Sequence, residues 1–153
     1  MLSLPHRYAV TAVPTADGEV RLATNGVPPL PTAAPAEFDG PGDRWSPETM
    51  LVGAVADCFA ITFRGVARAS QVAWTEMTCE ATGTLDRVGG VTRFTRIDLD
   101  VHVVVPDGAD ELPALRVLDK VKRTCLITNS LNADVCLHAA IEARTIDADG
   151  CPI

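Results

Sequence analysis

Trp45-Ser46-Pro47-Glu48-Thr49-Met50-Leu51-Val52-Gly53-Ala54-Val55-Ala56-Asp57-Cys58-Phe59 is the stretch on which the fold turns. It opens with helix-start chemistry. Ser46 is a good N-cap, Pro47 suits the first helical position, and Glu48 complements the positive end of the helix dipole. Met50, Leu51, Ala54, Val55, Cys58, Phe59, Ile61, Thr62, Gly65 and Val66 then recur at helical spacing. The pattern predicts one long apolar helix ending near Ser70.

Before this helix, Tyr8–Val13 reads as a strand. Thr15-Ala16-Asp17-Gly18 reads as a turn, and Glu19–Ala23 as the partner strand of a hairpin. Residues 25–47 hold six prolines and three glycines, which predicts a long irregular segment. After the helix, Val72–Asp86 and Thr92–Val105 read as two antiparallel strands joined through Arg87-Val88-Gly89-Gly90. Leu112–Thr124 reads as a second helix, and Ala133–Ala143 as a final strand. Hairpins flanking helices predict an α+β fold with antiparallel sheet. With 153 residues and no visible linker, the expectation is one domain over 1–153.

Composition narrows the function. Thirteen Lys and Arg against twenty Asp and Glu give a net charge of −7, which argues against a nucleic-acid partner. The N-terminus lacks the basic and apolar regions of a signal peptide. The apolar run Met50–Phe63 is interrupted by Asp57 and reads as too short and too polar to span a bilayer. The expected location is cytoplasmic, with no membrane partner.

Five cysteines (Cys58, Cys79, Cys125, Cys136 and Cys151) form an odd set without CxxC spacing, and His6, His102 and His138 are scattered. Neither a disulfide scaffold nor a metal site is indicated, so any cysteine chemistry is thiol chemistry. Two readings of Cys58 stand at this level. A cysteine on an apolar helix face is more often an inert small hydrophobe than a nucleophile. Cys125 follows Lys122 and Arg123, which favour a thiolate, but it ends a helix, whose dipole opposes one. Cys79 and Cys136 read as strand filler, Cys151 as a tail residue and His138 as structural. Glu48 lies ten helical residues from Cys58, roughly 15 Å along the axis, so the two cannot touch within one straight helix.

The stretch 45–59 resembles the OsmC/Ohr signature: a Pro-Glu pair opening a long helix, small residues along it, and a cysteine ten positions after the glutamate. Cys125-Leu126-Ile127-Thr128-Asn129-Ser130-Leu131 is similar to the second signature of that family, a cysteine followed four residues on by Asn. The resemblance implies an intertwined homodimer, with long central helices between antiparallel sheets and active sites at the subunit interface. It implies a thiol peroxidase acting on organic hydroperoxides, with hydrogen peroxide as a second candidate substrate, in oxidative-stress defence. Cys58 would be oxidised to a sulfenic acid, Cys125 would resolve it, and Glu48 would position a basic residue that holds Cys58 as thiolate. A dithiol such as a lipoyl group would be the reductant, and no cofactor or metal is implied. The Ohr branch carries an arginine in a Gly-Arg-Asp/Asn-Gly turn and Pro-Tyr after the second cysteine. Here the turn is Thr15-Ala16-Asp17-Gly18 and the pair is Leu126-Ile127, which resembles the OsmC-like branch instead. Arg44, then Arg21, Arg64 and Arg68, are the candidate replacements for that arginine. The alternative is a dimer of the same fold that catalyses nothing and either binds a small apolar ligand or senses oxidation.

Overall fold

A computed structural model describes residues 3–145. The chain divides into two compact units, Met1–Leu51 and Val52–Ile153.

In the first unit, β1 (Thr11–Pro14), β2 (Val20–Ala23) and β3 (Leu30–Thr32) form an antiparallel sheet in that order. The β1–β2 turn is closed by the Thr15 amide donating to the Glu19 carbonyl at 3.0 Å, with Gly18 at φ 83°. The segment expected to be irregular throughout contains β3 and a 3-10 turn over Ala36–Phe38. A three-residue strand is too short to show alternation, and its Pro31 is tolerated because β3 lies at a sheet edge. The Ala33 amide donates to the Trp45 carbonyl at 3.1 Å, which fixes the chain just before the helix.

Helix α1 (Pro47–Ala69) starts where its sequence predicts. The Thr49 amide donates to Ser46 Oγ at 3.2 Å, and the Ser46 amide donates to Thr49 Oγ1 at 2.9 Å. This reciprocal pair is a capping box with threonine in the place usually taken by Glu or Gln. The helix ends without a glycine: Gln71 takes the left-handed conformation at φ 55°, and the Val72 amide returns to the Ala67 carbonyl at 3.0 Å. That turn delays β4, which begins at Glu76 and not at Val72. Trp74, just before β4, packs edge-on against Phe63 at 5.4 Å.

The second unit is built on β4 (Glu76–Val88), β5 (Val91–Pro106) and β6 (Asp134–Arg144), in the order β4-β5-β6. Gly89 and Gly90, both at positive φ, make the tight β4–β5 turn. The expectation of a purely antiparallel sheet is corrected at β6, which pairs with β5 in parallel. The connection explains it. Helix α2 (Glu111–Thr124) lies between β5 and β6, and a parallel neighbour needs a crossover of about a dozen residues or more. The Asp110 side chain caps α2 by accepting from the Leu112 amide at 3.0 Å. The architecture is α+β, with two sheets and two helices.

The core of this unit follows two periods. Ile97, Leu99, Val101, Val103 and Val105 alternate onto one face of β5, and Val55, Phe59, Phe63 and Ala67 recur every four residues along α1. Ala114, Val117, Leu118 and Val121 of α2 complete the cluster. Each fully buried Val, Leu, Ile or Phe side chain contributes about 1.5–3 kcal/mol relative to exposure.

At 23 residues the whole of α1, longer than its Met50–Phe63 stretch, is long and apolar enough by length and composition alone to cross a membrane, a test that a core helix also passes. Here its apolar stripe is core: Val55, Phe59, Phe63 and Ala67 are fully buried. The rest of the helix is less covered, and Ile61 is 53% exposed.

Gly83 of β4 shows how close the packing is. A Cβ there would lie 2.7 Å from both Val52 Cγ2 of α1 and Phe94 Cε1 of β5. Gly83→Ala is therefore expected to destabilise the protein by about 1–3 kcal/mol through overpacking, read as a lower denaturation midpoint in urea with unchanged slope. An unchanged midpoint would show that α1 is not seated against β4 at this point.

Candidate active site

The thiol of Cys58 is the focus of the second unit. It lies one residue before Phe59 on α1, at the margin of the buried stripe, and is half-buried. Asp57 beside it is exposed. Opposite stands the turn that follows α2. The Cys125 amide donates to the Val121 carbonyl at 2.9 Å and ends the helix, leaving the Cys125 side chain fully buried.

The turn is held by its own polar side chains. Asn129 Nδ2 donates to the Arg123 carbonyl at 3.1 Å, and Thr128 Oγ1 donates to the Cys125 carbonyl at 3.1 Å. Ser130 Oγ donates to the Leu126 carbonyl at 2.8 Å. Each satisfies a carbonyl in or just after the last turn of α2, where helical partners run out. The asparagine four residues after Cys125 thus fixes the turn without touching the sulfur of Cys58.

This turn directs backbone N–H groups at Cys58. Burial pushes the Cys58 thiol up. The amide of Ile127, the Cys125 thiol, the Thr62 hydroxyl and the amide of Leu126 pull it down, and together they prevail, so its pKa is lowered. Thr62 Oγ1 lies 4.0 Å from the sulfur, one helical turn along α1. Hydrogen bonds from main-chain donors favour the thiolate, and this contribution was invisible in the sequence because every residue carries an amide. The side chains that depart from the Ohr pattern, Leu126 and Ile127, supply it through their backbone.

Arg44 ion-pairs with Asp43 at 3.2 Å and with Glu19 at 3.7 Å, all within the first unit. Arg21, Arg64 and Arg68 are exposed, as are Lys122 and Arg123 before Cys125. The first-turn residue Glu48 has one carboxylate oxygen, Oε2, that is buried without a hydrogen-bond partner among the described residues.

Cys79 lies on β4 facing the helices, and burial together with the negative charge of Cys125 pushes its thiol up to about 11. Cys136 lies opposite Asp98 across the β5–β6 pair. His138 of β6 is exposed, with Nε2 3.2 Å from Asp98 Oδ1, an acid that Arg96 also grips. His102 pairs with Glu142 at 3.1 Å. Both histidines thus lie against carboxylates on the face of the sheet away from the core. Cys151 lies outside the described residues. Among the described residues, no group of three or more His, Cys, Asp and Glu side chains is arranged to hold a metal ion.

A helix cysteine facing a second cysteine in an amide-lined turn, on this α+β frame, defines a class. Residues 40–138 match the model of the OsmC-like protein family, and the chain belongs to that family. It is similar to YmaD of Bacillus subtilis (strain 168), an uncharacterized protein, with 28% identity over 113 residues that cover 71% of this chain and 75% of YmaD. Among solved structures, an OsmC-like protein from Mycoplasma pneumoniae superposes with a TM-score of 0.79 at 16% identity, covering 91% of this chain and 99% of that one. OsmC from Legionella pneumophila, an organic hydroperoxide resistance protein, superposes with a TM-score of 0.71 at 20% identity, covering 92% and 99%. These structural likenesses show the fold.

Because the Cys58 pKa is lowered and that of Cys79 raised to about 11, their alkylation should separate with pH. Only the thiolate reacts, so a lowered pKa moves the rise in rate to lower pH. Iodoacetamide labelling followed by peptide mass spectrometry should show the Cys58 rate rising at lower pH than the Cys79 rate. Coincident profiles would remove the case for an activated Cys58. In the same assay, Asn129→Ala should shift the Cys58 profile upward by loosening the turn.

Proposed function

We propose that this protein is a thiol peroxidase that reduces organic hydroperoxides. The observation that carries the reading is the Cys58 sulfur, held toward its thiolate by the Ile127 and Leu126 amides with Cys125 facing it. The Cys58 thiolate attacks the terminal oxygen of the hydroperoxide. An S–O bond forms, the O–O bond breaks, and the alkoxide leaves and takes a proton to become an alcohol. Cys58 becomes a sulfenic acid. Cys125 then attacks the Cys58 sulfur, water leaves, and a disulfide forms. An external dithiol, of which a lipoyl group is the type implied by the family, regenerates both thiols by exchange. The apolar side chains around α1 suit an alkyl peroxide better than hydrogen peroxide.

The working unit in this proposal is a homodimer in the cytoplasm. Two features support it. Ile61 of α1 is exposed in a single chain, and so are Val10, Val13, Val27, Phe38 and Trp45 of the first unit. Apolar surface on that scale commonly marks an interface. The partnerless oxygen of Glu48 is a place for a donor from a second chain. Light scattering should give twice the chain mass of 16.2 kDa.

Cys58→Ser should abolish consumption of cumene hydroperoxide, and Cys125→Ser should stop after one equivalent with a trapped sulfenic acid. Equal turnover in the wild type and Cys58→Ser would end the proposal. Glu48→Gln should slow oxidation of Cys58 if Glu48 orients a cation from the partner. It should leave the rate unchanged if Glu48 serves only the helix dipole.

A further inference from the structure

A threonine inside a helix often turns its hydroxyl back onto the carbonyl four residues earlier. Thr124 of α2 does so, donating to the Lys120 carbonyl at 2.9 Å. Thr62, in the middle of α1, does not. Its Oγ1 faces Cys58 Sγ at 4.0 Å and has no other hydrogen-bond partner among the described residues. When Cys58 is a thiolate the hydroxyl is necessarily the donor of this pair, and both lone pairs of Oγ1 stay free.

The surroundings leave room to use them. Cys58, Thr62 and Gly65 follow at i, i+4 and i+7 and share one line along α1, beside the fully buried Phe59 and Phe63. Cys58 and Thr62 are both half-buried, so both are reached from outside. Gly65 is exposed, and a Cβ there would meet nothing within 4 Å, so the surface just beyond Thr62 is open. The other groups close to the sulfur are less suited to accept a proton from a ligand. The Leu126 and Ile127 amides only donate. Thr128, Asn129 and Ser130 are turned to carbonyls of their own segment. Asp57 is exposed and stands about 100° round the helix from Cys58.

We propose that Thr62 is a catalytic residue that holds the hydroperoxide for attack, its hydroxyl donating to the Cys58 sulfur while its oxygen accepts the substrate O–H. The distances permit this. With the two anchors 4.0 Å apart, an oxygen about 2.8 Å from Thr62 Oγ1 can also stand about 3–3.5 Å from Cys58 Sγ, which is the near-attack range. The oxygen so held is the terminal one, because it carries the proton. The thiolate attacks it, the S–O bond forms and the O–O bond breaks. The terminal oxygen keeps its proton as the sulfenic acid O–H, and the alkoxide leaves and takes a proton from water.

This role rests on the peroxidase reading, and two reagents separate the failure of one from the failure of the other. Iodoacetamide has no peroxide O–H and reads only the Cys58 thiolate, whereas cumene hydroperoxide reads the thiolate and the held substrate. Rates at Cys58 are followed across pH with each reagent by quenching and peptide mass spectrometry. In Thr62→Val the alkylation profile should move to higher pH and still reach the wild-type plateau. On that plateau its oxidation by cumene hydroperoxide should remain slower by about tenfold, the loss of one hydrogen bond to the reacting atoms. Thr62→Ser, which keeps the hydroxyl, should oxidise at close to the wild-type rate. Oxidation of Thr62→Val at the wild-type rate on the plateau would overturn this role and leave the peroxidase reading standing. Equal slowing with both reagents there would also overturn it, since a distorted helix does the same. A wild-type Cys58 that cumene hydroperoxide does not oxidise would end the peroxidase reading and this role with it.

Discussion

The seat of α1 on β5 is the constraint from which the rest follows. Val55, Phe59, Phe63 and Ala67 lock one face of the helix against five alternating side chains of the strand. With 3.6 residues per turn, a residue beside Phe59 cannot also face the strand, so Cys58 is turned to the margin of the stripe. There it is half-buried and meets the turn after α2. The glycine at position 83 is part of the same contact, since any side chain there would collide with Val52 and Phe94. The sulfur is thus positioned by packing around it, with little demand on its own side chain.

What the sulfur can do depends on a contest between burial and hydrogen bonding. Burial alone would push the Cys58 thiol up, as burial together with the charge of Cys125 does at Cys79. The difference lies in the turn over 125–130, where Asn129, Thr128 and Ser130 hold carbonyls and leave the Leu126 and Ile127 amides free to face the thiol. The missing arginine of the Ohr turn weakens the likeness to that branch without removing the means of activating the cysteine.

Much of this could be read along the chain. The start of α1 was explicit in Ser46 and Pro47, because capping is a matter of three or four adjacent residues. The β4–β5 hairpin was explicit in Gly89-Gly90, which alone suit a turn needing two positive φ values. Cys58, Glu48 and Cys125 were singled out by their spacing within two motifs. The short strand β3 was hidden by its length and its proline. The parallel pairing of β6 was hidden because a strand looks the same in either direction, and only its partner tells which way it runs.

The sequence by itself determined the capped start of the long apolar helix, the β4–β5 hairpin and the second helix, since these depend on local propensity and periodicity. Only the tertiary structure decided that the turn after α2 brings the Leu126 and Ile127 amides and the Cys125 thiol to Cys58, and that β6 runs parallel to β5. The physical reason is the same in each case. These properties arise between segments far apart in the chain, and the decisive donors are backbone groups that no residue letter distinguishes.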